Sequence, residues 1–149
     1  MRTFTISSSI PEICKTENCF LGIDEAGRGP VLGPMVYAVL FAPIIKNTEL
    51  TSLKFNDSKL IKEDKREKLF KLIKITEYIG WAATVISPLD ISAKMLQKDK
   101  VSLNSLAFDA TVELIKHTLS KDVSLKTVYV DTLGPPGTHQ EKLSKVATL

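Results

Sequence analysis

The stretch Phe20-Leu21-Gly22-Ile23-Asp24-Glu25-Ala26-Gly27-Arg28-Gly29-Pro30-Val31-Leu32-Gly33-Pro34-Met35-Val36-Tyr37-Ala38-Val39-Leu40-Phe41 contains two apolar runs on either side of a loop. Phe20 to Ile23 reads as a short buried strand that ends at Asp24. Ala26 to Pro34 holds three glycines and two prolines in nine positions, a composition that breaks regular structure. Met35 to Phe41 reads as a second strand, and the short loop predicts that the two run antiparallel. Further along, Tyr78 to Ile86 reads as a third strand. Thr127 to Val130 reads as a fourth, ending at Asp131. That strand is reached through helices, so it is expected to lie parallel to its neighbour.

The intervening segments read as helices. Lys62 to Ile73 places Leu69, Phe70 and Ile73 on one side of an otherwise charged helix. Ser87-Pro88-Leu89-Asp90 combines a capping serine, a first-turn proline and an acid three residues on, which predicts a short helix to about Leu96. Leu103, Leu106, Ala107, Ala110 and Leu114 mark one face of a longer helix that ends near Leu119. The fold class that follows is α/β, a mixed sheet flanked by helices. Residues 1–18 are polar and aperiodic and read as an irregular lead-in, with residues 19–149 as the domain proper.

The composition is that of a globular chain. Its 149 residues are 44% hydrophobic and 25% charged, which argues against wholesale disorder. No apolar run approaches the length of a membrane-spanning helix, so no membrane role is expected. The N-terminus has no apolar core of signal-peptide length. Two cysteines, Cys14 and Cys19, are too few for a disulfide scaffold and fit a reducing compartment. A net charge of +3 permits a nucleic-acid partner without requiring one.

Asp24 and Asp131 each follow an apolar strand run. In α/β sheets, ligands gather outside the carboxyl ends of strands. On neighbouring strands two such carboxylates would repel unless a cation sat between them, and hard divalent ions suit oxygen ligands. Glu25 is a third candidate, but in a regular strand it points away from Asp24, so an immediate turn is needed to bring both to one ion. The competing reading makes these aspartates turn formers or helix caps. Gly27-Arg28-Gly29 could present backbone N–H groups to a phosphate or a sugar hydroxyl, or could simply form a tight turn. From Lys54 to Lys74 there are eight basic residues against four acids, either a track for a phosphate backbone or a solvated helix face. Cys14, Cys19, His117 and His139 lack the spacing of a zinc site.

The block from Gly22 to Ala38 closely resembles the signature of type 2 ribonuclease H, the ribonuclease HII family. Asp57-Ser58-Lys59, Leu103-Asn104-Ser105-Leu106 and Val130-Asp131-Thr132 agree in order. The Gly33-Pro34-Met35-Val36-Tyr37-Ala38 continuation and the polar lead-in look most like the eukaryotic branch, whose catalytic subunit works in a three-subunit enzyme. The resemblance implies the ribonuclease H fold. It also implies hydrolysis of the RNA strand in RNA/DNA hybrids and cleavage 5′ to single ribonucleotides embedded in duplex DNA, leaving a 3′-hydroxyl and a 5′-phosphate. It casts Asp24, Glu25 and Asp131 as ligands of two divalent ions, Mg2+ or Mn2+. Gly27, Arg28 and Gly29 become readers of the ribose 2′-hydroxyl, and Lys59 and Asn104 become contacts to the substrate. Two non-catalytic subunits and a nuclear location are implied as well. The family's fourth carboxylate falls on a segment later than Leu149, so the chain corresponds to the N-terminal part of a catalytic domain. The alternative is a catalytically impaired fragment that only binds hybrid or partner subunits.

Overall fold

Apolar alternation along the central strands sets the two faces of the sheet. The computed structural model describes residues 2–26, 33–52, 62–96 and 103–130. In chain order these form β1 (Phe4–Ser7), α1 (Ile13–Thr16), β2 (Cys19–Ala26) and β3 (Met35–Pro43). A 3-10 turn (Ile44–Lys46) leads to α2 (Asn47–Ser52), α3 (Glu63–Ile75), β4 (Gly80–Ile86), α4 (Pro88–Met95), α5 (Leu103–Ser120) and β5 (Leu125–Val130). The strands form one sheet in the order β1-β4-β3-β2-β5. Among the described strands only the β2–β5 pair is parallel, so the sheet is mixed, as the helical crossover to β5 requires.

Leu21 and Ile23 of β2, Tyr37, Val39 and Phe41 of β3, and Ala82 and Ile86 of β4 turn to one face. Against them pack Leu106, Ala107, Ala110, Leu114 and Ile115, the apolar stripe of α5. Thr111 and Thr118 are buried in the same helix, and their hydroxyls donate to the carbonyls of Ala107 (2.8 Å) and Leu114 (2.9 Å). No helix among the described residues is long and apolar enough to cross a membrane. The opposite face carries a smaller cluster of Ala42, Leu50 and Ile79, with Phe20, Leu40 and Ile73 of α3 against it. Trp81 lies half-buried on this second face under the edge of the Phe70 ring, 5.6 Å between centroids, and is part of the helix packing.

Residues 1–18 depart from the reading as an irregular lead-in. Phe4–Ser7 pairs antiparallel with β4, and Ile13–Thr16 makes one helical turn. All four β1 residues are exposed, so no burial pattern betrays the strand in the sequence. Tertiary hydrogen bonds hold it instead. The Asp90 carboxylate accepts from the Thr3 N–H (3.2 Å) and from the Thr3 hydroxyl, which itself accepts from the Ser87 N–H (3.1 Å). Ser87 is the expected N-cap of α4, accepting from the Asp90 N–H at 3.1 Å with Pro88 in the first turn. Asp90 therefore serves the β1 tether and not a reciprocal capping box.

Cys14 of α1 and Cys19 of β2 are fully buried and unbridged. The Cys14 carbonyl accepts from the Ser124 N–H (2.9 Å), and the Ser124 carbonyl accepts from the Cys19 N–H (2.7 Å). These bonds knit α1, β2 and the approach to β5. Burial pushes the Cys14 thiol up to about 12 and the Cys19 thiol in the same direction. Raised in this way, the Cys14 thiol holds less of its reactive thiolate near neutral pH.

Gly80 lies opposite Phe41, and a Cβ on it would fall 2.2 Å from the Phe41 ring. Phe41 is itself buried and has little room to swing away. Gly80→Ala is expected to destabilise the chain by about 1–3 kcal/mol in chemical denaturation. An unchanged midpoint would show that the ring relocates freely. A second expectation concerns Asp90, whose carboxyl is held below the usual range mainly by the Thr3 side chain. The stabilisation from a depressed carboxyl is complete above its ordinary pKa of about 4 and is lost as pH falls through the lowered value. The stability gap between the parent chain and Asp90→Ala should therefore shrink in acid. A gap that did not vary with pH would remove the carboxylate's charge from the tether.

Candidate active site

β2 is the central scaffold of the candidate site because it is paired on both sides, to β3 and to β5. The strand does not end at Ile23. It continues through Asp24 and Glu25 to Ala26, held by pairs to Ala38, Tyr37 and Val36. The pleat therefore directs Asp24 to the face of Ala38 and Glu25 to the face of Tyr37. The immediate turn that would bring both side chains to one ion does not occur at this point. Asp24 is exposed, and its Oδ1 accepts from the Glu25 N–H at 2.8 Å. Glu25 is half-buried beside buried Tyr37.

The parallel register pairs Ile23 with Val130, the last described residue of β5. Asp24 is the residue after Ile23, and Asp131 is the residue after Val130. Asp131 itself, with Gly27, Arg28, Gly29 and Lys59, lies outside the described residues. Asn104 falls in the first turn of α5. Among the described residues, no three His, Cys, Asp or Glu side chains gather into a metal-binding group. Asp24 offers a hard, solvent-accessible oxygen donor, which fits a hydrated divalent ion and not a soft one.

Two features near Asp24 emerge from the tertiary structure. The sheet face to which it points is floored by small residues. Ala38 and Ala83 share its cross-strand row, and a Cβ on neighbouring Gly22 would meet nothing within 4 Å. α3 rests on this same face through Phe70 and Ile73. Its Lys62 flank and Lys65, Arg66, Lys68, Lys71 and Lys74 are all exposed, and no ion pair among the described residues engages them. Lys74 Nζ stands 4.4 Å over the Phe70 ring. On the opposite face, Glu25, Tyr37, Thr84 and Thr5 form a polar cross-strand row, with the two threonine hydroxyls 2.9 Å apart. In the sequence, Tyr37 stands out only as part of an apolar run. The signal it carries is a phenol at an inward position, which needs a polar neighbour.

The ribonuclease HII family model matches residues 21–148, a span that includes most of β2, the glycine loop and Asp131. The chain belongs to the ribonuclease HII family. The A subunit of human ribonuclease H2 is 46% identical over 140 residues, covering 94% of this chain and 47% of that protein. Its Arabidopsis thaliana counterpart is 48% identical over 130 residues, covering 87% of this chain and 44% of that protein. The chain thus spans about half the length of the curated relatives it matches. Among solved structures, the RNase HII in a PCNA complex from Archaeoglobus fulgidus superposes with a TM-score of 0.72 at 26% identity, covering 87% of this chain and 58% of that one. Pyrococcus horikoshii ribonuclease H2 gives 0.70 at 27% identity, covering 88% and 58%. The mixed sheet flanked by helices is therefore the ribonuclease H-like fold.

Among the described residues the exposed cations of α3 have no ion-pair partner, which leaves them available to a polyanion. Replacing Lys68 and Lys71 together with glutamine should weaken duplex binding. It should also lower the slope of log affinity against log salt by about 2, read by fluorescence anisotropy. An unaltered slope would assign the helix to solvent alone.

Proposed function

We propose that this chain is the N-terminal part of a type 2 ribonuclease H catalytic subunit. Its reaction is hydrolysis of the RNA strand in RNA/DNA hybrids and incision 5′ to single ribonucleotides embedded in duplex DNA. The observation that carries the reading is the parallel register of β2 and β5. It ends with Ile23 beside Val130, each followed in the chain by an aspartate. Family membership supplies the reaction class, and the relatives named as ribonuclease H2 subunits supply the branch.

Asp24 and Asp131 are the principal carboxylates in this reading, and Glu25, which leaves the strand on the opposite face, would join them only at the second ion. Their oxygens fit Mg2+ or Mn2+. Two such ions, when bound, would activate a water and stabilise the leaving oxygen of an in-line displacement. The open, small-residue floor beside Asp24 leaves room for a backbone phosphate to approach. Exposed cations on α3, with Lys59 and Asn104, hold the polyanion in place. Gly27, Arg28 and Gly29 read the ribose 2′-hydroxyl, the group that distinguishes RNA from DNA. Glycine backbone can approach a sugar where a side chain would collide. Two non-catalytic subunits and a nuclear workplace belong to the same proposal.

The test is incubation of the 149-residue chain, and of a chain extended to the length of its relatives, with Mg2+ and a duplex carrying one ribonucleotide. The extended chain should cut 5′ to the ribonucleotide. Asp24→Asn and Asp131→Asn should each slow it on the order of a thousandfold without changing its melting temperature. Cleavage by the 149-residue chain would show that three carboxylates suffice. Binding without cleavage would support the impaired-fragment alternative for this length. Mn2+ titration supplies a readout independent of turnover. Amide resonances of Ile23 to Glu25 and of Ala38 should broaden first, and broadening centred elsewhere would overturn the metal assignment.

A further inference from the structure

The edge of the sheet farthest from β5 is β1, which among the described residues pairs only with β4. The Ser8 N–H donates to the Trp81 carbonyl at 2.9 Å, so Ser8 turns its backbone toward β4. With a two-residue period, Phe4 and Ile6 do the same, while Thr5 and Ser7 turn their N–H and C=O groups outward. Exposed strand edges of this kind template the addition of another strand. β1 also leaves large apolar side chains in solvent on the second face, Phe4 at 45% and Ile6 at 47% exposure.

The first face beside this edge holds a groove of about 350 Å³ between β1, β4, α4 and α5. Its apolar lining comes from Ile86, Leu106 and Ala110, under the Thr5 and Thr84 hydroxyls. Three carboxylates, Asp90, Asp109 and Glu113, face it against one cation, Lys94. The groove is thus locally acidic on a chain whose net charge is +3. Such a surface repels phosphates and favours a cationic side chain with an aliphatic stem.

We propose that β1 receives an extended segment of a partner protein whose residues alternate between basic and apolar. The segment adds as a sixth strand and hydrogen-bonds to the outward groups of Thr5 and Ser7. Its basic side chains lie along the apolar groove and end at Asp109 and Glu113. Its apolar side chains fall on the other face and cover Phe4 and Ile6. Neither face alone specifies this occupant. The pleat requires both chemistries at a spacing of two. The site stands at the opposite edge of the sheet from β5, so it does not depend on the catalytic reading.

The probe is an N-acetylated peptide of about nine residues alternating lysine and valine, a typical strand length. Its controls are the glutamate–valine counterpart and a single-stranded oligonucleotide. The lysine peptide should bind at least about tenfold more tightly than the glutamate peptide and should weaken as salt rises. Hydrogen exchange should slow at the Thr5 and Ser7 amides. The double variant Asp109→Asn, Glu113→Gln should weaken binding about tenfold while leaving nuclease activity unchanged. Ser7→Pro, which deletes an outward N–H without breaking a bond to β4, should abolish binding. Equal binding of both peptides, tighter binding of the oligonucleotide, or no protection at Thr5 and Ser7 would each overturn the proposal. If Ser7→Pro unfolds the chain, the charge variant and the exchange pattern still decide.

Discussion

The pairing of β2 between an antiparallel and a parallel neighbour organises the whole molecule. A strand paired on both edges has every backbone polar group satisfied, so it can be buried at the centre of the sheet. That position lets Leu21 and Ile23 anchor the main core while Asp24, one residue later, stays in solvent. The parallel neighbour matters most. A parallel pair cannot be closed by a hairpin, and the chain must leave the sheet and return. α4 and α5 make that journey, and α5 covers the core face with its apolar stripe on the way. The helices that flank the sheet and the juxtaposition of the two strand ends are therefore one constraint seen twice.

The two sheet faces divide the chemistry. The α5 face is a packed core that turns polar toward Glu25, Tyr37, Thr84 and Thr5. The α3 face is thinner, because small residues keep the sheet open beside Asp24 and α3 contributes no fully buried side chain. Its loose cover and exposed cations leave that face open to solvent. A dense opposite face supplies the rigidity that holds a carboxylate in place. The cysteines belong to the dense side. Buried and with raised thiol pKa, they act as small apolar residues whose backbone joins α1 to β2 and to the approach to β5.

Much of this was legible in the residues. The apolar run of β3, the Ser87–Pro88 start of α4 and the stripe from Leu106 to Leu114 have local causes, namely period, cap and propensity, so they stand where the pattern places them. β1 was not legible. Four exposed residues show no alternation of burial, and the strand is held by its ladder to β4 and by Thr3, which is bonded to Asp90, 87 positions away. The extent of β2 was not legible either. Asp24 and Glu25 look like the end of a strand, but pairing with Ala38 and Tyr37 carries the ladder past them and splits their side chains between faces.

The block from Gly22 to Ala38 is enough to establish the family, and with it the fold class and the candidate carboxylates. Side-chain identity and short-range spacing carry that information. Which residues meet is a matter of long-range packing. Ile23 comes beside Val130 through a register set by burial of the intervening helices. α3 lies over the face of Asp24 because Phe70 and Ile73 need apolar cover. The β1 edge stands open beside an acidic groove because α4 and α5 pack where the sheet core draws them. These juxtapositions join positions tens of residues apart, and no local pattern in the chain specifies them.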